Sequence, residues 1–191
     1  MKLNKLMLAT AIAFSTASVA HAAPTPNQGS GTVAFSGEII DAPCSITPDS
    51  VDQTVPMGQI SSRILAKEGK SSAEPFSIEL KDCALNTMKN VKVTFTGTPD
   101  AVNSKLLALS GSASGAGIVI YDQLHAKEVE LGTATDGQGL NEGNNALKFA
   151  AYLQGNSASG AVVPGQFTSV ANFTLLISKP RWGCRRGHPH A

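Results

Sequence analysis

Six stretches of this chain place apolar residues at alternate positions, and a period of two is what a strand with one buried face requires. Val33 and Phe35 form the first, followed closely by Ile39-Ile40. Phe76, Ile78 and Leu80 alternate with Ser77 and Glu79, and Val91, Val93 and Phe95 with Lys92 and Thr94. Ile118 and Ile120 flank Val119; Leu147, Phe149 and Ala151 alternate with Lys148 and Ala150; Phe173 and Leu175 flank Thr174. Turn residues fill the gaps, as in Thr98-Pro99-Asp100, Asp136-Gly137-Gln138-Gly139, Asn141-Glu142-Gly143-Asn144 and Pro164-Gly165. Glycine there supplies positive φ and proline presets the bend. Only Ile60–Glu68 reads as briefly helical. Short strands at this spacing predict an all-β sandwich of immunoglobulin-like character. At 191 residues the chain is long enough for one such domain with a sizeable core.

The first segment stands apart from the fold. Lys2 and Lys5 precede a mostly apolar run, Leu6–Val19, and Ala20-His21-Ala22 then offers the small-x-small pattern of a cleavage site. Residues 1–22 read as a secretory signal peptide. The run is too short for a membrane anchor, which needs roughly 20 apolar residues. The mature protein is expected to begin near Ala23 and to be exported. In an oxidising compartment Cys44 and Cys83, 39 residues apart, read as a structural disulfide. Closing that loop contributes up to about 4 kcal/mol on the chain-entropy view. No Cys-x-x-Cys or nearby histidine supports a metal or redox pair, and no metal or cofactor is expected.

Charged residues are 15 % of the chain and hydrophobic ones 42 %, a globular balance, and the net charge of +1 gives no reason to expect nucleic acid as a partner. Catalysis needs convergent polar groups in a pocket. Mature histidines are only His125, His188 and His190, and no nucleophile elbow, phosphate loop or paired-carboxylate spacing occurs. His125 reads as a surface residue between strands. No enzymatic activity is expected. Ala23–Ser30 is small, polar and proline-containing, with almost nothing to bury. It runs into Gly31–Gly37, which alternates like a strand. Either this is an ordinary first strand with a loose leader, or it is a strand meant for another molecule.

Several segments together resemble major subunits of P-pilus and type 1 pilus fibres, the pilins of the chaperone–usher class. These are Val33–Cys44 (VAFSGEIIDAPC), Val55–Ile60, Phe76–Leu80 with Cys83, Val91–Gly97, and Pro164–Leu175 (PGQFTSVANFTL). The resemblance implies an immunoglobulin-like sandwich lacking its seventh strand. It implies assembly by donor-strand complementation, in which a strand from another molecule fills the gap. A periplasmic chaperone fills it first; at the outer-membrane usher, the N-terminal extension of the next subunit replaces the chaperone. The donor strand falls on about Thr25–Ser36, with Gly31, Val33 and Phe35 on the face that enters the neighbour. Phe173 and Leu175 of the last strand line the acceptor groove, and Cys44–Cys83 ties the first strand to the second. The implied partners are identical or related subunits in a head-to-tail polymer, the chaperone and the usher. A host-cell receptor is a further possible partner, and the cell-surface fimbria is the implied location. A minor adaptor or terminator subunit is the nearest alternative. A sugar-binding adhesin fits less well, because such subunits carry an extra N-terminal lectin domain and only about ten residues precede the first strand.

The resulting division is a signal peptide (1–22), an extension (23–36), a pilin domain (37–175) and a tail (176–191). The tail, LISKPRWGCRRGHPHA, departs from the family, whose members stop soon after the Asn172-Phe173-Thr174-Leu175 equivalent. It reads as an altered frame or an unusual allele. With its cations and those of the leader set aside, the body is acidic. Cys184 invites unwanted intermolecular disulfides, and Cys184 with His188 and His190 is too short a pattern for a metal site.

Overall fold

A computed structural model describes residues 31–87, 89–157 and 160–179. The signal peptide, the first part of the extension, and the tail from Pro180 onward with Cys184, His188 and His190 lie outside the described residues. The chain divides between Ile39 and Ile40 into two units.

In the first unit, Gly31–Ile39 forms neither helix nor strand, and every residue is exposed. The Gly31–Gly37 run, which reads either as an ordinary first strand or as a strand meant for another molecule, pairs with no strand among the described residues. Alternation shapes a side-chain pattern, but a strand exists only when its backbone finds an edge to pair with.

The described residues of the second unit hold ten strands, all paired antiparallel. One sheet is formed by β1 (Ser45–Ile46), β2 (Glu74–Cys83), β5 (Ala116–Asp122), β6 (Lys127–Glu128) and β8 (Gly143–Gly155), in the order β1-β2-β8-β5-β6. The facing sheet, β10-β3-β7, comprises β3 (Asn90–Gly97), β7 (Gln138–Gly139) and β10 (Ala171–Ser178). A small ribbon pairs β4 (Ser110–Gly111) with β9 (Phe167–Thr168). Two single-turn helices, α1 (Pro48–Val51) and α2 (Ser62–Leu65), complete the regular structure; of the brief helical signal over Ile60–Glu68 only α2 is regular helix, because Lys67 and Glu68 adopt left-handed φ of +57 and +60 in the turn that follows.

The long strands follow the alternation. Ile78 and Leu80 of β2, Leu147 and Phe149 of β8, and Val91, Val93 and Phe95 of β3 are buried between the sheets. Phe95 meets Phe149 edge-on at 5.0 Å between ring centroids, and Phe149 stacks on Phe76 at 5.7 Å. Aromatic contacts of this kind add about 0.5–1.5 kcal/mol to simple burial. β5 departs from the one-face pattern, because Val119 is buried as well as Ile120. Leu106 crosses the outer face and covers Val119 together with Tyr152, while its neighbour Leu107 bridges to Ile118. β10 runs through Ser178, opposite Asn90, so Leu176–Ser178 continue the last strand past the point where composition changes.

The disulfide joins Cys44, just before β1, to Cys83 at the end of β2. It fastens the start of the domain to the sheet, where the Ala84 amide also donates to the Pro43 carbonyl.

Candidate functional site

A groove of about 1110 Å³ runs between the two sheets. Its floor is apolar: Phe76, Ile118, Ile120 and Ala151 come from one sheet and Phe95 from the other. Along one side lies β10, whose Ala171 and Phe173 point into the groove. Along the other lies the stretch from Val51 to Gln59, and the β9 side closes one end with Val162 and Phe167. Among the described residues, the only charged side chain lining it is Asp52.

The backbone on both sides is unpaired. Among the described residues β10 has one neighbour, β3, and its other edge has no strand to pair with. On the opposite side, the backbone of residues 54–59 makes no hydrogen bond among the described residues. The sequence explains that segment. Pro56 has no N–H to give a ladder, and Gly58 adopts φ +67, a left-handed conformation that turns the chain out of register. Met57 and Ile60 hold it down by packing toward Leu65, Ala116 and Leu153.

Inward-facing residues of a filled sandwich are buried. Along β10, however, Ala171, Phe173, Leu175 and Ile177 are only half-buried, although all pack against the core. Phe76, Ile46 and Ile118 are half-buried in the same way. An apolar trough with unpaired backbone on either side can accept an extended peptide that pairs along the edge of β10 and inserts alternate side chains.

The anticipated site residues are thus distributed as follows. Phe173 lines the groove; Leu175 is half-buried against the core further along the same strand. Cys44 and Cys83 are bonded. Gly31, Val33 and Phe35 lie in the separate N-terminal unit; Val33 is 74 % and Phe35 93 % exposed, and nothing approaches Gly31. Sequence reasoning placed neither residues 54–59 nor Val162–Phe167 at the groove: Val55–Ile60 and Pro164–Phe167 entered only as segments carrying a resemblance, and Pro164-Gly165 as a turn. The available signal was Pro56 and Gly58 interrupting an otherwise strand-like stretch.

Titratable groups cluster elsewhere. On the outer face of the larger sheet, the Lys70 ammonium donates to Glu128 Oε1 at 2.7 Å and to the Tyr152 hydroxyl at 3.2 Å, and Tyr152 donates to Glu128 at 2.7 Å. The hydrogen bond from Lys70, then that from Tyr152, holds the Glu128 carboxyl below its ordinary range. The bond to Glu128 raises Lys70. Burial, followed by the bond to Glu128, raises the Tyr152 phenol. His125 sits in the turn after β5, its Nδ1 2.7 Å from the buried Asp122 carboxylate. That carboxylate also accepts the amides of Leu124 and His125, which makes the pair a turn brace. No group of three or more potential metal ligands occurs among the described residues.

Comparison with known proteins agrees with this geometry. The family model described as "Fimbrial protein" matches residues 33–177. The chain is 55 % identical over 175 residues to the Fimbria A protein of Serratia marcescens, covering 92 % of this chain and 98 % of that one. It is 50 % identical to the major MR/P fimbria protein of Proteus mirabilis, with the same coverage. Among solved structures, a chaperone–usher pilus superposes with a TM-score of 0.72 at 34 % identity, covering 82 % of this chain and 100 % of that one. The P pilus rod subunit PapA superposes with a TM-score of 0.65 at 31 % identity, covering 72 % and 100 %.

Proposed function

The chain belongs to the fimbrial protein family, and from that membership together with the open groove we propose that each subunit completes its sandwich with the N-terminal strand of the next. It is a structural subunit of an extracellular fimbria, and its fold is the immunoglobulin-like pilin sandwich. No helix among the described residues is long and apolar enough to cross a membrane.

The observation that carries the proposal is the pair of unpaired edges on either side of an apolar trough, in a chain whose own alternating segment has no ladder. Thr25–Ser36 is the donor. Val33 and Phe35 enter the apolar floor, and Gly31, with no side chain, lies along the same face without needing a pocket. Main-chain pairing gives the affinity, while alternate side chains set the register. Because every subunit both donates and accepts, the contact is heterologous and does not close, so the product is a filament. Before assembly an exposed trough of this kind is an aggregation hazard. The reading therefore includes a periplasmic chaperone that occupies it and an outer-membrane usher where exchange takes place. It assigns no catalytic role. A terminator would need a groove that accepts no strand, and the groove of this chain is open.

Deleting 23–36 is expected to abolish fibres while leaving the chaperone complex intact, assayed by electron microscopy and by co-purification. Fibres formed by the deleted chain would overturn the donor assignment.

A further inference from the structure

We propose that Ile39 and Ile40 of one copy dock on Val163 and Val170 of the next, a second apolar contact at each joint of the fibre. The inference rests on the strand-donation reading and adds a surface which that reading does not use.

Ile39 is 102 % exposed and Ile40 53 %, with Glu38 and Asp41 on either side. Two adjacent branched apolar side chains left in water between carboxylates suggest a covered position in the assembled state. Their place in the chain says where that cover lies. Ile39 follows the donor's last residue, Ser36, by three positions, about 10 Å of extended chain. Ile40 precedes Cys44 by four positions, and Cys44 is pinned to the end of β2 by its disulfide. The pair therefore spans the short link between a strand lodged in one subunit and the body of the next.

Every strand pair in this sandwich is antiparallel, so a donor beside β10 runs antiparallel to it. Its C-terminal end then emerges beside Ala171, where β10 begins. At that end the groove rim carries Val170, 73 % exposed, and Val163, 48 % exposed. Both are uncharged, branched and without cover, matching the isoleucines in chemistry. The contact would limit swing at the joint and add apolar burial to the strand pairing.

The test uses the full chain, expressed with its chaperone and usher, and fibres released by shear. Ile39→Ser/Ile40→Ser fibres are expected to shed subunits in guanidinium about tenfold faster than wild type, and Val170→Ser fibres several-fold faster. The triple variant should be no faster than the isoleucine double variant, because the two faces share one contact. Val102→Ser, at an equally exposed valine away from the rim, should not change the rate. Rates within twofold of wild type, or strictly additive effects, would overturn the proposal. If the double variant makes no fibres, capture of an added Ala23–Ser36 peptide by its monomer supports the contact, and failure to capture it shows a folding defect and overturns it. Fibres from a chain lacking residues 23–36 would instead sink the strand-donation reading, an outcome separate from these.

Discussion

Phe173 of β10 stands opposite Phe95 of β3 in the ladder, their rings 6.3 Å apart, yet Phe95 is 3 % exposed while Phe173 is only half-buried. The two share one inner face. Phe95 lies in the groove floor with Phe76 and Phe149 packed around it, whereas Phe173 stands at the groove's side on the edge strand. One ring completes the core of the single chain and the other waits for a partner. Phe95→Ala is expected to cost about 3–5 kcal/mol of subunit stability. Phe173→Ala should cost roughly half as much, and should weaken capture of an added Ala23–Ser36 peptide by tenfold or more. Denaturant unfolding of the chaperone-released subunit and peptide titration would separate the two effects; equal stability losses would contradict the distinction.

On the donor side, Phe35→Asp should slow strand exchange by at least about tenfold, since an unpaired carboxylate cannot enter an apolar trough cheaply. Phe35→Leu should retain most of the rate. Stopped exchange assays between wild-type acceptor and variant donor peptides measure it, and an unchanged rate for the aspartate would remove Phe35 from the contact.

The Cys44–Cys83 bridge closes a loop of 39 residues and anchors the link to the body. A Cys44→Ser/Cys83→Ser chain is expected to lose up to about 4 kcal/mol. It should unfold at markedly lower guanidinium concentration, with its sheet registers otherwise unchanged. A midpoint equal to that of the wild type would show that the bridge is dispensable.

Glu128 has a folded-state pKa depressed by Lys70 and Tyr152, so its contribution is present above the ordinary carboxylate range and lost as pH falls through the lowered folded value. The paired lysine is raised, so its contribution holds below the ordinary lysine range and is lost only as pH rises past it. Both side chains are about half exposed, which limits the pair to under about 1 kcal/mol. Glu128→Gln should therefore be slightly less stable than wild type and evenly so between about pH 5 and 9, with the gap closing below about pH 4. A gap that widened on acidification would reverse the sign and refute the assignment.

Gly155 ends β8 against the turn after α2. A Cβ there would run into the Leu65 carbonyl, a backbone atom that has no rotamer to yield. Gly155→Ala should cost about 1–3 kcal/mol and loosen the end of the groove formed by Leu65 and Leu153. Thermal unfolding would show it; a neutral outcome would mean that α2 shifts freely.

How far the fold could be read beforehand depended on element length. β2, β3, β5, β8 and β10 span enough residues for alternation to show. The two-residue strands β1, β4, β6, β7 and β9 carry no period at all, and none was legible. Val119 escaped because its cover, Leu106, belongs to a loop elsewhere in the chain. Phe173 was legible as a groove residue only through resemblance to relatives, and residues 54–59, marked by Pro56 and Gly58 alone, were not legible as a groove wall. A missing hydrogen-bond partner leaves no trace in composition.

What the residues determined by themselves is local and covalent: where the backbone alternates, where Gly and Pro interrupt it, which two cysteines are available to bond, and that residues 31–37 have a strand's pattern. What only the tertiary structure decided is which edges end up with a neighbour. Alternation is carried by each segment alone, whereas an unpaired edge is a relation between segments distant in sequence. The gap between β10 and residues 54–59 exists because β3 takes one side of β10 and no described strand takes the other.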